Sequence, residues 1–165
     1  MQADLLLDLA NFLDRLPSNR FDYRRWVGRS WKGRLDLSCG TTACALGWAA
    51  TIPSIQARGL QLFAWDRGVD IVAYIGDSLS SAEAADVDAD PNDLSMRAAS
   101  RVFEITIKEA RFLFIPRSIL SDSELRVVKG PDGEPMESPS VLADNIMVAA
   151  HIRRFLLWKQ AQPAT

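Results

Sequence analysis

Cys39, Cys44 and His151 are the side chains of this 165-residue sequence best suited to covalent or metal chemistry, and they exhaust its cysteines and histidine. Both cysteines lie in Cys39-Gly40-Thr41-Thr42-Ala43-Cys44-Ala45-Leu46-Gly47-Trp48, with two of the nine glycines. A hydroxyl residue ahead of an apolar run reads as a helix start, where unpaired backbone N–H groups favour negative charge and lower a thiol pKa. On that reading Cys39 is a thiolate nucleophile and His151 its base. A packing reading asks less of the same residues. Ala43, Gly47 and Ala50, at four- and three-residue spacing, line one helical stripe with little bulk, and Cys44 beside them serves as a small hydrophobe. Packing is the leading expectation, because a short motif without its structural context is weak evidence for catalysis.

The order cysteine then histidine, with the cysteine opening a helix, is similar to papain-like hydrolases. Those enzymes place the histidine on a strand beside an orienting Asn, Asp or Gln, whereas His151 falls mid-helix between Ala150 and Ile152. Thiol hydrolysis or transfer by Cys39 and His151 therefore stands as the alternative to a chain that is not an enzyme. A zinc site would need Cys39, Cys44, His151 and a carboxylate, and the C-x4-C spacing with no second pair argues against it. A Cys39–Cys44 disulfide stays open. Asp86, Asp88 and Asp90 begin like an EF-hand calcium loop, but Pro91 and Arg97 stand where glycine and glutamate are required. A solvated acidic loop is expected there. Without a Walker loop or a G-x-G-x-x-G pattern, no cofactor is expected.

Charge points to partners more than to chemistry. The net charge is −2, yet residues 15–34 hold seven basic side chains and only Asp22, while residues 77–93 hold five Asp, Glu83 and no base. Such asymmetry marks candidate partner-facing surface. Arg20, Arg24, Arg25, Arg29, Lys32 and Arg34 are the expected partner-binding residues. Phe21, Tyr23, Trp26 and Trp31 lie among them, so nucleic-acid binding through residues 15–34 is the alternative. A pI near 5.4 argues for a protein partner instead. No apolar run approaches the roughly 18 residues of a membrane span, and Asp8 interrupts the leucines behind an N-terminus without basic residues. A cytoplasmic protein is expected, consistent with so few cysteines.

The elements that must position these residues follow from periodicity. Leu5, Leu6, Leu9, Phe12, Leu13 and Leu16 give a first helix that Pro17 stops. A short helical turn is expected over 22–27, and a second helix over 41–50 with Thr41 or Thr42 as cap. Apolar runs at 60–65 and 69–74 flank Asp66-Arg67-Gly68 and read as a β-hairpin. Leu94, Ala98, Val102 and Phe103 form a helix face capped by Asn92 or Asp93, and Thr106 with Glu109 forms a capping box for the next helix. Gly130-Pro131-Asp132-Gly133 suggests a second small hairpin between 125–128 and 134–136. Ser138-Pro139 opens the longest helix, running to Trp158 and apolar nearly all round over 146–150, hence buried.

The leucine-rich first helix, Arg20-Phe21-Asp22, the Cys39–Trp48 block, and Phe103-Glu104-Ile105-Thr106 through Leu113-Phe114 together resemble a family of small uncharacterised proteins of bacteria and their phages. The Cys-Gly-Thr-x-x-Cys-x-x-Gly block is its most distinctive part. The resemblance implies a bacterial or phage source and no particular reaction. The expectation is one α+β domain over residues 1–165, mainly helical, with about five helices around a central cysteine-containing helix and one or two small hairpins. Its expected function is that of a non-catalytic accessory protein that binds another protein, modulation of host defence being one such role.

Overall fold

The computed structural model describes residues 1–23, 43–64, 70–74, 91–115, 136, 139–140 and 142–162. Helix α1, Ala3–Arg15, forms because Leu5, Leu6, Leu9, Ala10 and Leu13 fall on one face, and all five are buried. Burying each leucine contributes on the order of 2 kcal/mol. At Leu16 the backbone turns extended (φ −73°, ψ 130°), as expected of a residue before proline, and a 3-10 turn follows at Ser18–Arg20. Phe21 then pairs with Ala43 in a parallel bridge, Asp22 N–H donating to the Ala43 carbonyl and Ala43 N–H to that of Arg20, both at 3.2 Å. At the start of the helical turn expected over 22–27, Asp22 N–H is thus committed to Ala43. Tyr23 is a buried turn residue, and residues 24–27 lie outside the described ones.

Helix α2 is only Ala45–Ala49, with Cys44 in the capping position. It starts later than a threonine cap implies, because the bridge to Phe21 holds Ala43 extended and the helix begins beyond it. Ala43 thus leaves the helical stripe assigned to it with Gly47 and Ala50. Helix α3 spans Pro53–Gln56, and Gly59 (φ 94°) then supplies the left-handed turn into the first strand. Strands β1, Leu60–Ala64, and β2, Asp70–Tyr74, are antiparallel, with Leu60 opposite Tyr74 and Leu62 opposite Val72. This is the first expected hairpin, its turn residues 66–68 lying outside the described ones. The second, over 125–136, lies outside them except for buried Met136.

Helix α4 opens at Pro91 and runs to Phe103, so Asn92 and Asp93 sit in its first turn and are not its caps. Proline suits that position because its missing N–H costs nothing there. Glu104 leaves the helix with φ 52°, and Gln2 N–H satisfies the Phe103 carbonyl at 2.9 Å. Helix α5, Ile107–Phe114, carries the expected capping box, with Glu109 N–H to Thr106 Oγ1 at 3.2 Å and Thr106 N–H to Glu109 Oε2 at 2.8 Å. Helix α6 is Asn145–Ala161. It begins well after Pro139, because Ala143 N–H turns back to the Ser140 carbonyl at 3.0 Å and Asp144 takes the Met147 N–H at 2.8 Å. Six α-helices, one 3-10 turn and one strand pair make the described residues mostly helical, with too little strand for a balanced α+β fold.

The core is largely one cluster, in which Phe103, Phe112, Phe114 and Phe155 are fully enclosed with Leu6, Leu9 and Leu13 of α1. Helix α1 lies on α6, and α4 on β2 and α5.

Candidate interaction surface

Of the residues with chemical potential, Cys44 and His151 lie among those described, and burial silences both. Cys44 is 2% exposed, and loss of solvent pushes its thiol up to about 11, away from the nucleophilic thiolate. His151 is enclosed against Phe112, ring centroids 4.7 Å apart, with Nε2 3.4 Å from the Phe112 carbonyl oxygen. Burial pushes this imidazole down to about 4, the carbonyl pulling it up slightly and the Arg154 charge adding to the fall. It is a neutral core group. Cys39 lies outside the described residues, as do Arg24, Arg25, Arg29, Lys32, Arg34, Asp86, Asp88 and Asp90. Among the described residues, no three His, Cys, Asp or Glu side chains gather into a possible metal site.

Arg20 is described. Its guanidinium lies 5.1 Å from the centroid of the Trp48 ring, and Trp48 Nε1 donates to the Arg20 carbonyl at 3.0 Å. This pair ties the 3-10 turn to α2. Gly47 and Ala50 are buried with Ala43 and Cys44.

The feature the sequence reading missed is on α6. Residues 146–150 were expected to be buried all round, but Ile146 is 50% exposed, Met147 54% and Leu157 66%, with Ala150 also on the surface. Leu142, just ahead of the helix cap, is 83% exposed. At about 100° per residue, Ile146, Ala150, Leu157 and Ala161 fall in a sector of roughly 60°. Arg154 and Met147 border it on one side and Arg153 on the other. From Ile146 to Leu157 the strip is about 17 Å long.

Polar contacts fix which face looks outward. Asn145 Nδ2 donates to the carbonyls of Leu13 (2.7 Å) and Leu16 (2.8 Å), closing the end of α1. Arg153 bonds Asp14 at 2.6 Å and Asn11 at 2.8 Å. Lys159 Nζ reaches Glu109 Oε1 at 2.6 Å. Burial pushes the Glu109 carboxyl up, but Lys159 and both Thr106 bonds outweigh it and leave it below the usual range. The signal was present in the sequence as a phase. Asn145, Val148, Ala149, Ile152, Phe155 and Leu156 share the opposite, buried face.

No protein-family model, curated protein or solved structure matches this chain. Function is therefore argued from the site alone.

Proposed function

We propose that this protein works by binding another protein through the outward face of α6, without catalysis. The observation that carries the reading is the strip of Ile146, Met147, Ala150 and Leu157, exposed on a helix whose rotation is pinned by its neighbours. Scattered surface leucines need no explanation, but a row of apolar residues along the outward face of a well-anchored helix marks an interaction site. The burial of Cys44 and His151 supports a role other than chemistry. We further place the protein in the cytoplasm, as an accessory protein of bacterial or phage origin, on the strength of its Cys-Gly-Thr block and its scarcity of cysteine. None of the described helices is long and apolar enough to cross a membrane.

Photo-cross-linking in the source cells tests the reading. Benzoylphenylalanine at Ala150 or Leu157 should give a discrete protein adduct that the same probe at exposed Lys108 does not. No adduct at either α6 position would reject this surface as the interface.

A further inference from the structure

We infer that the partner presents an acidic amphipathic helix, with leucine-sized residues at three- and four-residue spacing and Glu or Asp along its rim. The inference rests on the α6 reading above and adds the chemistry of the occupant. Shape comes first. Ala150 is a low point between Ile146, one turn earlier, and Leu157, two turns later, so it makes a hole for a side chain projecting from a second helix. A small residue at that point also permits close approach of the two backbones.

Charge then selects among occupants. Residues 145–162 contain no Asp or Glu, and Arg153 and Arg154 border the strip on opposite sides. Arg153 is held by Asp14 and Asn11, whereas exposed Arg154 makes no ion pair among the described residues. A second copy of this chain would bring its Arg153 already paired with Asp14 and its Arg154 with no acid of residues 145–162 to meet it, so self-pairing sets the Arg154 charges together. A lipid surface is disfavoured by geometry. The opposite side of α6 is buried in the protein, so only this narrow strip could enter a bilayer interface. An acid-rimmed helix satisfies both the apolar strip and its basic borders.

The full-length protein should be titrated with a labelled synthetic amphipathic helix bearing a leucine stripe and glutamate flanks. The controls are the same peptide with lysine flanks and vesicles of phosphatidylglycerol and phosphatidylcholine. The expected result is that the glutamate peptide binds roughly tenfold or more tightly than the lysine peptide. Ala150→Glu should abolish that binding and Arg154→Glu should remove the preference, with thermal melts showing that each variant folds. Should Ala150→Glu fail to fold, Leu157→Glu serves in its place. Equal binding of the two peptides, or binding of neither, overturns the inference. So does a dimer in sedimentation that Ala150→Glu dissociates, or vesicle binding in the absence of peptide binding. A cross-link at Ala150 without peptide discrimination rejects the acidic helix and keeps the interface, whereas no cross-link rejects the interface itself.

Discussion

His151 makes the stability of this protein fall between neutral and mildly acid pH, by an amount the structure sets. The folded imidazole has a pKa of about 4, against 6.5 for the exposed group, because burial disfavours the cation. The unfolded chain therefore takes up the proton first as pH falls. Stability is full above pH 6.5 and is lost as pH drops through the interval to 4. At about 1.4 kcal/mol per pH unit, the loss is about 3 kcal/mol by pH 4, with roughly 1.3 kcal/mol of it between pH 7.5 and 5.5. Carboxylates such as Glu109, whose pKa is lowered on folding, also weaken the fold in acid. The measurement is consequently a difference between proteins. In urea unfolding, His151→Phe, which keeps a ring against Phe112 and removes the titration, should gain stability relative to the wild type by about that amount as pH falls from 7.5 to 5.5. Parallel curves would refute the reasoning. Because the sequence has one histidine, its ring proton resonance titrates without ambiguity. An NMR midpoint between 6 and 7 would show directly that the ring is not buried and neutral.

Cys44→Ser places a hydroxyl in an apolar site and should cost on the order of 1–3 kcal/mol in urea melts, while iodoacetamide near pH 8 should leave native Cys44 unlabelled. Asn145→Ala removes the side-chain donor shared by the Leu13 and Leu16 carbonyls, of which, among the described residues, only Leu13 keeps a backbone N–H, from Leu16 at 3.1 Å, and should cost about 1–3 kcal/mol by the same assay; an unchanged midpoint would show that water replaces the amide. Thr106→Ala removes the capping-box hydroxyl and should cost about 1 kcal/mol. The thiol alternative has its own test: rapid labelling of native Cys39 well below pH 8, suppressed by His151→Ala in a folded protein, would make this a thiol enzyme.

Local chemistry acting over three or four residues was legible where no rival signal lay nearby. The leucine spacing of α1, the Thr106–Glu109 box and the hairpin over residues 60–74 were all readable because each depends on near neighbours in the chain. The displaced start of α2 depends on a distant partner. Ala43 is extended because Phe21 bridges to it, and no local propensity encodes that pairing. The α6 start moved because Asp144 caps it, whereas Ser138-Pro139 offered an equally good local signal. The surface was hidden for another reason: a helix apolar on both sides reads as buried unless its neighbours reveal its rotation.

Energetics show why α6 keeps an apolar strip outward. Turning the helix to bury Ile146 and Leu157 would gain roughly 1 kcal/mol each, since Ile146 is 50% exposed and Leu157 66%. The turn would break the contacts of Asn145, Arg153 and Lys159, worth about 1 kcal/mol apiece net, and would strand the Glu109 carboxylate without its cation. It would also carry Val148, Ile152 and Phe155 out of the core, at about 2 kcal/mol each. Burial of those three residues decides the rotation, and the polar contacts make it specific. The exposed strip is therefore a consequence the fold cannot relieve by itself, and the roughly 2 kcal/mol it leaves unrealised is available to a partner helix that covers it.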